Sequence, residues 1–184
     1  MRVVVAYESM YGNTRRVAEA IAAGLQSTCS VTLVPVSQLE RESLDTADLI
    51  VIGGPTHVRG MSRTSTRKAA EEAAHKPGST LAVEADAQAP GLREWLTSLG
   101  RPNVQAAVFD TKIKMPAAFS GRASRGIAKG LRRHGVTLLT KPESFLVSKD
   151  NQLLPGEEDR ARIWGQQLAR TVAGAAHSSK SQES

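Results

Sequence analysis

The chain has 184 residues, 40% of them apolar, which suits a single domain with a well-buried core. No run approaches the roughly 20 apolar residues of a membrane span, and the single cysteine, Cys29, excludes an internal disulfide. Lys and Arg outnumber Asp and Glu by 24 to 18, a net charge of +6, which permits an acidic partner. Aromatic content is only 4% and no basic stretch is interleaved with aromatics, so a stacking platform for single-stranded nucleic acid is excluded and no nucleic-acid partner is expected. No charged segment precedes an apolar stretch, and strand-like sequence begins at Val3. With the lone thiol, this makes a reduced, cytoplasmic protein the expectation.

In chain order, Met1-Arg-Val-Val-Val-Ala-Tyr7 is an apolar, β-branched run that reads as a buried strand. The polar turn Glu8-Ser-Met-Tyr-Gly-Asn-Thr14 follows, and a helix begins at once, its apolar positions Val17, Ile21 and Leu25 four residues apart. A strand feeding a tight loop at a helix N-terminus is a ready anion site, because the loop amides converge and the helix dipole favours negative charge. Ser9 and Thr14 add hydroxyl donors. No Lys follows the Gly and there are no three glycines, so the loop fits neither a nucleoside triphosphate nor a dinucleotide pyrophosphate. A single phosphomonoester suits it. A plain turn with Ser9 and Asn13 as helix caps is the competing reading.

Ser30 to Val36 reads as the second strand, and Leu39 to Leu44 as a short connector. Asp48-Leu-Ile-Val-Ile52 is a continuous apolar run of the kind buried on both faces of a parallel sheet. Arg63 to Ala74 is a predicted helix with Ala69, Ala70, Ala73 and Ala74 as its packing face. His75 to Pro90 has loop composition, and Gly91 to Leu96 restores helix with Leu92, Trp95 and Leu96 on one side. Val104 to Phe109 is the fourth strand. Gly121 to His134 is a basic helix, with Arg122, Arg125, Lys129, Arg132 and Arg133 opposite Ala123, Ile127 and Leu131; a solvated outer face is the expectation. Val136–Leu139 and Phe145–Val147 form a fifth strand broken around Pro142. Glu157 to Val172 is the last helix, its acidic start suiting the dipole and Trp164, Leu168 and Val172 forming its stripe.

Strands alternating with helices imply an α/β fold: a three-layer, doubly wound, five-stranded parallel sheet, for which the flavodoxin-like order 2-1-3-4-5 is the natural choice. One domain over residues 1–174 is expected, with 175–184 a flexible C-terminal tail. The ligand crevice of such a sheet lies beyond the carboxyl ends of the first, third and fourth strands.

Those ends carry a resemblance. Ser9-Met-Tyr-Gly-Asn-Thr14 resembles the FMN-phosphate loop of flavodoxin-like proteins, and its Ser-Met-Tyr-Gly run is closer still to the flavodoxin-like NAD(P)H:quinone oxidoreductases. After the third strand, Gly53-Gly-Pro-Thr-His-Val-Arg-Gly-Met-Ser62 resembles the flavin loop of those reductases, with Val58 where an aromatic is usual. After the fourth strand, Asp110-Thr-Lys-Ile-Lys-Met-Pro116 has neither the Gly-rich, aromatic loop of flavodoxins nor the Gly-Gly turn of the reductases. The resemblance implies FMN as cofactor. By it, Ser9, Met10, Tyr11, Gly12, Asn13 and Thr14 hold the phosphate and flank the flavin, Pro55, Thr56, His57, Val58, Arg59 and Gly60 surround the ring, and Thr111 and Lys112 complete the site.

Other chemistries on this fold are disfavoured. Glu8 stands alone where a receiver domain needs an acidic pair, and Gly53-Gly54 stands where its phosphoacceptor Asp belongs. There is no G-x-S-x-G elbow and no His or Cys spacing for a metal. No catalytic acid, base or nucleophile is assigned, since a flavin carries its own chemistry. The expected function is electron transfer or oxidoreduction by an FMN-binding flavodoxin-like protein, with a redox partner protein or a small quinone-like acceptor. An NAD(P)H:quinone-type reductase and a flavin-free binding module are the alternatives. Arg59, Lys112 and Lys114 in the candidate flavin loops are expected to favour a reduced, anionic flavin by Coulomb attraction.

Overall fold

Hydrogen bonding gathers the apolar runs into one parallel sheet. The computed structural model describes residues 1–57, 60–115 and 121–180, with side chains through Gly174. Within them run β1 (Arg2–Tyr7), α1 (Asn13–Leu25), β2 (Ser30–Pro35), α2 (Arg41–Asp45), β3 (Leu49–Pro55), α3 (Thr64–Ala74), α4 (Leu92–Ser98), β4 (Gln105–Ile113), α5 (Ala123–Arg133), β5 (Thr137–Leu138), β6 (Glu143–Val147) and α6 (Glu157–Lys180). The order is β2-β1-β3-β4-β5, every pair parallel, as the sequence predicts. A sixth strand is the addition: β5 pairs with Gln105–Ala106 of β4, and β6 pairs with Phe109–Ile113 of the same strand. The broken fifth strand is thus two short strands sharing one long neighbour. Pro142, which has no N–H to give a ladder, stands just ahead of β6.

Alternation along each strand divides the core into two layers. Val3, Val5, Tyr7, Leu49, Val51 and Phe109 pack with the Val17, Ile21 and Leu25 stripe of α1 and with Trp164, Leu168 and Val172 of α6. Val4, Ala6, Ile50, Ile52, Ala106 and Val108 pack with Leu92 and Leu96 of α4 and Ile127 and Leu131 of α5. Phe109, Phe145 and Trp164 meet edge to face, with centroids 6.1–6.4 Å apart. Cys29 is half-buried against the first layer. Helices α1 and α6 touch through backbone: a Cβ on Gly24 would fall 2.1 Å from the Arg162 carbonyl oxygen, and one on Gly165 2.3 Å from that of Ile21.

Three elements differ from expectation. β4 continues to Ile113, so Asp110–Ile113 are strand and not loop; β6 supplies the partner that extends them. The alanine face of α3 does not enter the core: Ala69 is exposed, Ala70, Ala73 and Ala74 are half-buried, and the buried residue of that helix is Arg67. α6 runs to Lys180, beyond the expected end at Val172. The basic residues of α5 are exposed, as expected for a solvated face. No helix among the described residues is long and apolar enough to cross a membrane.

Candidate functional site

The carboxyl ends of β1, β3 and β4 converge on a cleft of about 250 Å3. Nine of the residues expected at a cofactor line it: Met10, Tyr11, Asn13, Thr14, Pro55, Thr56, His57, Thr111 and Lys112. Ser9 and Gly12 do not line it, and Gly60 lines a neighbouring hollow. Val58 and Arg59 lie outside the described residues, as does Pro116. His57 and Gly60 exchange paired backbone hydrogen bonds of 2.8 and 3.0 Å.

The β1–α1 loop is held from several sides. Gly12 turns the chain with φ +87°, a left-handed conformation open to glycine, and its N–H donates to Ser9 Oγ at 3.1 Å. No side chain caps α1. Its first-turn amides therefore face outward without an oxygen from the chain, which is the electrostatic character of an anion site. Tyr11 donates its hydroxyl to the Ala70 carbonyl of α3 at 2.7 Å, and burial pushes its proton affinity up. Asn13 Nδ2 donates to Asn151 O and Oδ1 at 2.9 and 3.0 Å, and Asn151 itself has φ 56°. Thr14 Oγ1 and Thr111 Oγ1 are 2.7 Å apart and both buried. One bond between two hydroxyls uses one proton, so the pair retains an O–H donor. Beyond the cleft, Glu84 accepts Arg15 Nε through both oxygens at 3.1 Å, while its N–H donates to the Met10 carbonyl at 2.9 Å.

Met61 and Ser62, after β3, are clamped by a largely buried polar network that the sequence reading missed. Glu8 accepts a short hydrogen bond from Ser62 on one carboxylate oxygen and the Leu92 N–H, at 2.8 Å, on the other. Arg67 donates to Ser62 Oγ at 3.1 Å and to Glu94 at 3.3 Å through two nitrogens. Burial alone would push the Glu94 carboxyl up, but hydrogen bonds from Arg67 and backbone N–H groups outweigh it and hold the proton affinity low. Gly91 leaves no room for a side chain beside this network, because a Cβ there would fall 2.5 Å from Glu8 Oε2. Arg93 completes the clamp through the Ser62 and Met61 carbonyls at 3.1 and 3.2 Å. These partners stand up to 84 residues apart; no local pattern joins them. The one available signal is a lone Glu directly after a buried strand.

Within β4, Asp110 is fully buried. Its Oδ2 accepts the Ser124 N–H at 2.8 Å and the Thr56 hydroxyl at 3.3 Å, while Thr56 Oγ1 accepts the Ala123 N–H at 2.9 Å. Asp110 and Thr56 thus cap α5 and tie it to β3 and β4. Lys112 lines the cleft, and burial, then the Arg122 charge, lower its proton affinity. Burial likewise lowers that of His57, with Glu8 opposing and Arg67 adding. Ala70, Ile113, Val147 and Asn151 also line the cleft without having been foreseen. An Asp-Asn turn does signal a left-handed residue at Asn151, but nothing local aims it at Asn13. Among the described residues no group of His, Cys, Asp and Glu could hold a metal ion.

The chain superposes on a flavodoxin from the domain Archaea at TM-score 0.64, with 22% identity, over 94% of this chain and 99% of that one. Oxidised Flavodoxin 1 from Bacillus cereus gives 0.61 and 16%, over 92% and 98%. A flavodoxin, WrbA-like protein from Agrobacterium tumefaciens gives 0.57 and 21%, over 94% and 98%. No curated protein matches the chain. A family model described as a flavodoxin domain matches residues 4–118, more than half of the sequence, and the chain therefore belongs to the flavodoxin domain family.

Proposed function

We propose that the cleft binds FMN and that the chain works in electron transfer. The observation that carries the reading is convergence: residues at the carboxyl ends of β1, β3 and β4, named from the sequence as one site, line one cleft at the switch point of the sheet. The residues present suit the group. Uncapped amides at the start of α1 and the hydroxyl left over by Thr14 and Thr111 offer donors to a phosphate. Met10, Tyr11, Pro55, Ile113 and Val147 offer apolar surface to a flat ring. When bound, FMN supplies the electron-accepting chemistry. The chain would orient it and exclude water along the apolar walls, and Lys112, which lines the cleft, would offer a cation to the reduced flavin. The acceptor or donor is a redox partner protein or a small quinone-like molecule.

One observation favours the reductase alternative. A second hollow, about 360 Å3 and lined by Gly60, Met61, Arg63, Ser65, Thr66 and Arg93, shares His57 with the cleft. A small substrate could lodge there beside a flavin. Absorbance spectra of the purified chain with and without added FMN test the first reading: flavin bands that stay with the protein through gel filtration are expected. A chain that never retains FMN refutes it. Steady turnover of NAD(P)H with a quinone favours the reductase.

A further inference from the structure

The positive charge of this chain is concentrated in one segment. Between Asp110 and Glu143 there is no acidic residue, whereas Lys112, Lys114, Arg122, Arg125, Lys129, Arg132, Arg133 and Lys141 all fall there. Those eight come out of 24 basic residues; the other 16 face 18 acidic ones, so the remainder of the chain is slightly negative despite the overall +6. The structure places this excess next to the cleft. Lys112 lines the cleft and shares a shallow groove with Arg122, at the start of α5, where the two carboxylates of the groove, Glu143 and Glu157, are paired with Arg160. From there Arg125, Lys129, Arg132 and Arg133 continue along the exposed side of α5, while Ala123, Ile127 and Leu131 face the core. At 1.5 Å per residue the array extends about 16 Å.

The lip of the cleft carries a second feature. Ile113 and Met115 are 42% and 49% exposed, two of the five large apolar side chains left open among the described residues, and they alternate with Lys112 and Lys114. A small anion needs one or two charges, and a neutral quinone needs none. Charges spread along a whole helix match a macromolecule. Phosphate backbones gain nothing from Ile113 and Met115, whereas exposed apolar side chains set among charged ones suit a protein–protein interface. We infer that the Lys112–Met115 lip and the basic side of α5 form the docking surface for an acidic redox protein. This rests on the flavin reading of the adjacent cleft, because an electron carrier must approach within transfer distance of the ring.

The test uses an acidic plant-type [2Fe–2S] ferredoxin as probe, fluorescently labelled and titrated with the full chain at low and physiological salt. FMN uptake is measured separately, so loss of the flavin reading shows in absorbance while docking shows in anisotropy. Saturable binding that weakens about tenfold or more with added salt is expected, as for steered association. The triple change Arg125→Glu, Lys129→Glu, Arg132→Glu should abolish it, and Met115→Glu should weaken it severalfold, both with FMN affinity unchanged. Circular dichroism confirms that the variants fold. No ferredoxin binding at low salt, or binding indifferent to the triple change, overturns the proposal. So does tighter binding of a DNA duplex or of phosphatidylserine vesicles than of the ferredoxin through the same arginines.

Discussion

The two rims of the cleft are built in opposite ways. On the β1–α1 rim every polar side chain from Ser9 to Thr14 is engaged: Ser9 with Gly12, Tyr11 with Ala70, Asn13 with Asn151, Thr14 with Thr111. Behind that rim, buried Glu8, Ser62 and Arg67 are bonded in series, and Arg67 ends on the partly exposed carboxylate of Glu94. On the β4 rim, Ile113, Lys114 and Met115 face solvent. Fixed donors bind a small ligand well because their orientation is set before it arrives. A surface that meets a large partner needs exposed charge and apolar area instead. The contrast teaches which rim holds and which rim meets.

Breaking the buried side should have the largest effect. Arg67 is 2% exposed and Glu8 8%. Arg67→Ala leaves the Glu8 carboxylate buried without a nearby cation and should remove about 3 kcal/mol of folding stability in urea titrations. Lys114→Ala on the open lip should stay within about 0.5 kcal/mol. Equal losses would erase the distinction. Next comes Tyr11, where two substitutions separate ring from hydroxyl. Tyr11→Ala should lose about 1–2 kcal/mol of FMN affinity with the aromatic surface. Tyr11→Phe should keep that affinity and lose about 1 kcal/mol of stability with the hydrogen bond to Ala70. An unchanged FMN dissociation constant in Tyr11→Ala places the ring outside the flavin contact.

At the β4 rim, Lys112→Met removes a cation from the cleft lining, where the proposal sets the reduced flavin. Roughly 1 kcal/mol of Coulomb attraction corresponds to a two-electron potential lower by about 20 mV. A redox titration that finds the potential unmoved puts Lys112 out of electrostatic reach of the ring. The smallest effect concerns His57, whose burial lowers its proton affinity below the usual 6.5. The unfolded chain then binds more protons than the folded one between the lowered value and 6.5. Stability therefore rises with pH through that window, is fully present above it, and is lost as pH falls. His57→Gln should flatten this slope in urea titrations at stepped pH; an unchanged slope assigns it to other groups.

Much of this was legible in the sequence because the signals are local. Val3–Val5 and Leu49–Ile52 read as buried strands from their own composition, and Val17, Ile21 and Leu25 mark their helix face by spacing alone. What was missed depends on distant partners. Asp110-Thr-Lys-Ile looks like loop because three polar residues follow Phe109, yet β6 pairs with it and capping contacts bury Asp110. Arg67 looks like a solvated residue on an alanine-rich helix, and only Ser62 and Glu94 explain its burial. The nine lining residues were named from the resemblance carried by the segments at the strand ends; Asn151 and Ala70 were not, because their roles exist only once the chain has folded back on Asn13 and Tyr11.

The central claim is that the β1–α1 loop holds FMN by its phosphate, and the paired affinities of FMN and riboflavin test it most directly. Charge-assisted hydrogen bonds to a phosphate contribute about 1.5–3 kcal/mol each. In fluorescence-quenching titrations FMN should therefore bind at least about tenfold more tightly than riboflavin, and Thr14→Ala should narrow that gap by a similar factor. Equal affinities for FMN and riboflavin, with Thr14→Ala changing neither, would contradict the account.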